Sequence, residues 1–220
     1  VAVDSGCDVP PYHIERYHIG VIPFKILFGG REYSDGVDVT PDEICDLLPT
    51  EIPKTSLPSG ETILAMLDGI KAQGYTHVFI VCTSSGLSGT INLVRLICDE
   101  YEGLISYVLD GKNISIGSGM LAIKAAMLVE NGVSWAELCT AMRANVEKSK
   151  VFFCLDTLEY LYKGGRIGLV SALLGDALKL KPIITCNPEG VYCIAAKTLG
   201  RKHAIERMIK LTLSYIEGCE

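Results

Sequence analysis

Apolar and polar positions follow two different rhythms along this chain, and the change between them falls near residue 150. Up to Lys150, short runs rich in Val, Ile and Phe stand between longer stretches whose apolar residues recur at helical spacing. Such alternation marks βαβ units and predicts a mostly parallel sheet between helices. The expected strands are Val1 to Val3, Val21 to Leu27, His77 to Cys82 and Leu104 to Leu109. Thr40-Pro-Asp-Glu43 and Ser134-Trp-Ala-Glu137 read as capping boxes, a hydroxyl at the N-cap with a carboxylate three residues on. A helix from Gly60 to Gln73 is expected after Ser59, with Pro58 fixing its entry.

Beyond Lys150, Leu180 to Thr185 and Val191 to Ala196 flank Asn187-Pro-Glu-Gly190, a turn sequence that predicts antiparallel pairing. An amphipathic helix is expected after Gly200, with Ile205, Met208, Ile209, Leu211 and Leu213 available to its apolar side. The expected fold class is α/β, and the resemblance given below implies two lobes. Residues 1–150 form a parallel-sheet lobe, and residues 151–220 form a second lobe with an antiparallel hairpin. That second region is short for an independent sheet and reads as incomplete at its C-terminus. Val1 in place of Met makes the sequence read as clipped at its start.

Composition narrows the partners. Although 49% of residues are apolar, no run approaches the roughly 18 needed to span a bilayer, so no stable membrane insertion is expected. The net charge of −6 argues against nucleic acid, whose binding rests on an excess of Lys and Arg. Nine cysteines are scattered without any CxxC, several of them inside apolar runs, which points to a reducing cytoplasm. Cys186 and Cys193 allow a disulfide or metal pair across the hairpin, but no nearby His or Cys completes a zinc site, and no metal is expected.

In an open parallel sheet, ligands gather at the carboxyl ends of the strands. There this chain carries Asp4-Ser5, the loop Thr83-Ser84-Ser85-Gly86-Leu87-Ser88-Gly89-Thr90, and Asp110-Gly111. The glycines of the loop allow tight turning, and its hydroxyls and the N–H groups of the following helix can surround an oxyanion. Ser88 is equally placed simply to cap the helix beginning at Gly89, and the two roles are compatible. Thr55-Ser56-Leu57-Pro58-Ser59 is a second hydroxyl cluster before a helix, open to the same two readings. No GxxxxGK[ST], GxGxxG or GxSxG is present, and none of His13, His18, His77 and His203 is marked as a general base. Lys163, Arg166, Lys179, Lys181, Lys197, Arg201 and Lys202 outnumber Asp176 and Glu189 in their stretch, which suits an anionic partner or a solvated face. In Lys163-Gly-Gly-Arg166 the paired glycines expose backbone and aim a guanidinium able to grip phosphate or carboxylate.

Taken in order, Asp4-Ser5, Val21-Ile-Pro23 with Tyr33-Ser-Asp35, Thr55 to Ser59, Ser84 to Thr90, Asp156-Thr157-Leu158 with Lys163 to Arg166, and Lys181-Pro182-Ile183 resemble the DegV family. These are bacterial fatty-acid-binding proteins that serve as acyl-carrying subunits of fatty acid kinase. The resemblance implies an EDD/Rossmann-like first lobe, an α/β second lobe with an antiparallel sheet, and a long-chain, palmitate- or oleate-like fatty acid between them. It implies that Thr55 and Ser88 hold the lipid carboxylate, with Ser56, Ser84 and Ser85 in reserve. Arg166 and Arg201 become the positions for docking a partner or steadying transferred charge. Catalysis then belongs to a separate ATP-binding kinase subunit that makes an acyl phosphate for phospholipid metabolism, and this chain is a lipid-binding subunit with no cofactor and no catalytic residue. Family members continue beyond this length and carry a His-containing, Gly-rich segment, and they usually have Gln where Leu57 stands. A different reading is a small-molecule phosphotransfer enzyme of the dihydroxyacetone-kinase-like type, which would be expected to use a reactive His. A third is a scaffold in which the Ser88 loop is only a helix cap.

Overall fold

The computed structural model describes residues 1–173 and 180–218. Strand β1 (Ala2–Asp4) leads into helix α1 (Pro11–Tyr17), and β2 (Gly20–Ile22) then returns parallel to β1. A separate antiparallel unit follows, made of β3 (Lys25–Phe28) and β4 (Arg31–Ser34), then helix α2 (Pro41–Leu47) and β5 (Lys54–Ser56), in the order β4-β3-β5. The parallel sheet resumes through α3 (Gly60–Ala72), β6 (His77–Cys82), α4 (Thr90–Glu100) and β7 (Ile105–Asp110), giving the order β2-β1-β6-β7. Helices α5 (Ile116–Glu130) and α6 (Trp135–Val146) cover it, and the short α7 (Glu159–Lys163) leads on to the last elements. These are the antiparallel pair β8 (Leu180–Cys186) and β9 (Tyr192–Leu199), and helix α8 (Arg201–Glu217). The fold is α/β, with a parallel four-stranded sheet and two antiparallel sheets.

β6 shows why the parallel sheet is buried on both faces. Val78, Ile80 and Cys82 pack with Ile63 and Leu67 of α3 and Ile91 and Val94 of α4. The alternate residues Phe79 and Val81 pack with Leu121 and Ala125 of α5 and Leu138 and Met142 of α6. A period of two thus sends one strand's side chains into two cores, and this is how much of the high apolar content is used. Both expected capping boxes are present, with Thr40 accepting from the Glu43 N–H and Ser134 from the Glu137 N–H. Ser59 likewise accepts from the Thr62 N–H at 3.1 Å.

Two expectations need correction. Val21 to Leu27 is not one strand, because Pro23 has no N–H to continue a ladder. The chain breaks there, the Phe24 N–H donates to Ser5 Oγ at 3.0 Å, and β3 starts a new sheet. The β3–β4 turn is Gly29-Gly30, both at positive φ (56° and 71°), the backbone that a two-residue hairpin demands. In α8, only Met208 and Leu211 of the five expected apolar residues turn inward, beside the buried Ala204; Ile205, Ile209 and Leu213 are exposed. The helix packs against β8 and β9.

Several smaller expectations resolve on the same ground. His18 ends α1 in the left-handed region at φ 51°, and His77 sits against Trp135 with ring centroids 4.8 Å apart. Cys186 and Cys193 are both free. Lys179 and Asp176 of the basic stretch lie outside the described residues. Among the described residues, no helix is long and apolar enough to cross a membrane.

Candidate functional site

The carboxyl ends of β1 and β6 are joined by a buried carboxylate. Asp4, fully buried, accepts from the Thr83 N–H at 2.8 Å and the Thr83 hydroxyl at 3.0 Å. Burial pushes its carboxyl up to about 6, against the opposing pull of the Thr83 and Cys7 hydrogen bonds. This clamp sets the start of the Thr83–Thr90 loop. Ser84 follows, itself buried, and donates to the Gly190 carbonyl at 2.8 Å while accepting from the Gly86 N–H at 3.1 Å. The hydroxyl therefore ties the loop to the β8–β9 turn, and Gly190, at φ 80°, has no room for a side chain against Ser84.

Beyond this tie a cavity of about 790 Å³ opens. Thr55 and Ser56 of β5 and Ser88 of the loop line it, with Arg166 after α7. Apolar wall comes from Phe24, Leu57, Leu87, Ile114, Leu161 and Tyr192. Lys54 and Lys163 add charge beside Arg166. Ser88 Oγ accepts from the Thr90 N–H at 3.2 Å and lies 2.8 Å from the Thr90 hydroxyl, so it serves the start of α4 while lining the cavity. Arg166 donates through Nε to the Leu87 carbonyl at 3.4 Å and through Nη1 to the Gly164 carbonyl at 2.5 Å.

The remaining candidates stand elsewhere. Ser84 is occupied by the turn, and Ser85 faces β7, its N–H on Asp110 at 3.1 Å and its hydroxyl accepting from Lys112 at 3.1 Å. Burial works to raise the Asp110 carboxyl, yet the hydrogen bonds from Ser85 and Lys112 outweigh it and hold the group below its ordinary value. Arg201 lies outside the cavity lining and pairs with Asp156 at 2.7 Å. Phe24, Ile114 and Tyr192 had no mark in the sequence as lining residues. The one available signal was position: Phe24 follows the strand-breaking Pro23, and Ile114 follows the end of β7. Hydroxyl donors beside an apolar wall, with three cations close by, suit a ligand having an anionic head and an apolar body. Among the described residues, no group of three or more His, Cys, Asp or Glu could hold a metal ion.

A family model described as an uncharacterised protein family, DegV, matches residues 1–218. The chain belongs to the DegV family. A DegV domain-containing protein of Clostridium perfringens is 39% identical over 217 residues, spanning 99% of this chain and 77% of the relative. Among solved structures, a DegV family protein from Thermus thermophilus, described by its fatty acid binding, superposes with a TM-score of 0.89 at 32% identity, covering 99% of this chain and 77% of the other. A stearic-acid-binding protein from Eubacterium ventriosum gives the same TM-score of 0.89 at 26% identity, covering 100% and 77%. DegV of Bacillus subtilis, described as a fatty acid binding protein, gives 0.86 at 26% identity, covering 96% and 75%.

Proposed function

We propose that this DegV family chain binds one long-chain fatty acid in the cavity lined by Thr55 and Ser88. The carboxylate lies toward those two hydroxyls, with Ser56 beside them, and the acyl tail lies along the apolar wall. Residues 1–150 and 151–220 act as two lobes that share the ligand. The observation that carries the reading is that hydroxyls from two separate elements and a largely apolar wall meet in one cavity of about 790 Å³. The relatives described as fatty-acid-binding proteins support the same ligand class. Each buried methylene contributes about 0.8 kcal/mol, so the tail supplies most of the affinity and the head supplies orientation.

The hydroxyls hold the carboxylate by neutral hydrogen bonds, with Lys54, Lys163 and Arg166 of the same cavity left to meet the phosphate charge, so that the carboxylate oxygen stays free to attack phosphorus. The chain therefore presents the acyl group to a separate kinase subunit that supplies ATP and forms the acyl phosphate, with Arg166 and Arg201 on the side of docking and transferred charge.

Native mass spectrometry of the full-length protein purified from bacteria, followed by lipid extraction, tests the ligand. One fatty acid per chain is expected, and the Thr55→Ala/Ser88→Ala double variant should retain at least tenfold less. An empty protein that also refuses palmitate and oleate would overturn the lipid reading. Undiminished lipid in the double variant would sink the assigned site. Phosphoryl turnover by the isolated chain would favour a small-molecule phosphotransfer enzyme.

A further inference from the structure

A second cavity, of about 640 Å³, shares no lining residue with the first. It follows the open edge of β7, the outermost strand of the parallel sheet. The N–H groups of Ile105 and Gly111 donate inward to Thr76 and Cys82. Alternation therefore turns the backbone of Val108 and Asp110 outward, toward the cavity. The outward Val108 carbonyl accepts from Arg95 at 3.2 Å.

Two arginines reach this edge from helices packed on opposite faces of the sheet. Arg95 comes from α4, which packs with Ile80 and Cys82, and Arg143 from α6, which packs with Phe79 and Val81. Arg143 donates through Nε to the Tyr107 hydroxyl at 2.9 Å and lies 5.5 Å over that ring. Both are exposed. A guanidinium has five N–H donors, so each keeps donors beyond these contacts. Lys150 closes the cavity from the β8–β9 side, its Nζ on the Cys186 carbonyl at 2.7 Å, and Lys112 pairs with Asp110 at 3.1 Å. Four cations thus face two carboxylates, Asp110 and Glu147, around one concavity in a chain whose net charge is −6.

We propose that this cavity is a second ligand site, for a small phosphomonoester. A phosphomonoester carries about −1.5 to −2 at neutral pH, which matches the local surplus of positive charge. The arginine forks can take its oxygens in pairs, and the outward amides of β7 add backbone donors. The volume falls in the range of small-molecule pockets, roughly 300–1,000 Å³, and exceeds what bare phosphate fills. Val146, only partly buried on its wall, offers contact to an organic body.

Isothermal titration of the full-length protein with inorganic phosphate and with phenyl phosphate tests the site. Phenyl phosphate should bind once per chain, at least tenfold more tightly than inorganic phosphate and more weakly as sodium chloride rises. The Arg95→Gln/Arg143→Gln variant should lose at least tenfold in affinity for phenyl phosphate with its fatty acid content unchanged. Val146→Trp, which fills the cavity and keeps every cation, should lose it as well, and decides the matter should the arginine variant not fold. No binding of either probe at millimolar concentration would overturn the proposal. Undiminished binding in these variants, or inorganic phosphate binding as tightly as the ester, would also overturn it. Loss of lipid with phenyl phosphate binding retained would count against the fatty acid reading alone, since the cavities share no residue.

Discussion

Asp4 carries an electrostatic cost that pH can read out. Its carboxyl stands at about 6 rather than the ordinary 3.8, because burial penalises the charge more than the Thr83 and Cys7 hydrogen bonds favour it. A folded-state value raised above the unfolded one means that the folded protein holds the proton more tightly between pH 4 and 6. The corresponding stabilisation is therefore complete below pH 4 and is lost as pH rises through 6, by about 3 kcal/mol for a shift of this size. Asp4→Asn removes the titration. Urea denaturation of both proteins from pH 4 to pH 8 should show the wild type losing about that much relative to the variant by pH 7, then no further. A difference that stays flat across the range would show that Asp4 does not titrate there. Sequence position marked Asp4 as a residue at a strand end; its full burial came only with the folded sheet, in which β1 lies between β2 and β6.

Among the elements, the helices with polar caps were the most legible, because a cap is a local contract between residues three apart. At α6, Ser134 Oγ accepts from the Glu137 N–H at 3.4 Å, while the Glu137 carboxylate takes the Ser134 N–H at 3.2 Å. Ser134→Ala should lower stability by about 1 kcal/mol, seen as an earlier denaturation midpoint, and leave the content of bound fatty acid unchanged. An unshifted midpoint would mean that α6 is held by its packing alone. The β3–β4 hairpin was missed, although Gly29-Gly30 stands between Lys25–Phe28 and Arg31–Ser34, because the apolar run from Val21 to Leu27 read as one strand. Pro23 was the sign that the run had to break.

At the scale of the whole molecule, the Ser84 hydroxyl connects the loop after β6 to the β8–β9 turn through Gly190. Ser84 does not line the cavity of about 790 Å³, yet Leu87 and Ser88 on one side and Tyr192 on the other do. Ser84→Ala should therefore cost about 1–3 kcal/mol, since it leaves a buried carbonyl unpaired, and should speed fatty acid release about 3–10-fold, as for a binding change of roughly 1 kcal/mol. Stopped-flow transfer of a fluorescent fatty acid to vesicles measures that rate. Release at the wild-type rate from a destabilised variant would confine Ser84 to folding.

By itself, the sequence determined the α/β class, the order of most elements, the helix caps and the small polar loops at strand ends. Each of these depends on residues close together along the chain. It also held the family motifs containing Thr55 and Ser88, but not the cavity that they line. That cavity needs β5 from the antiparallel sheet, the loop after β6 and Tyr192 of β9 to arrive at one place. The second cavity depends still more on folding, because Arg95 and Arg143 meet only when helices on opposite faces reach the same open edge. Tertiary structure alone decided these cavities, since strand order and sheet closure bring together side chains that no spacing along the chain relates.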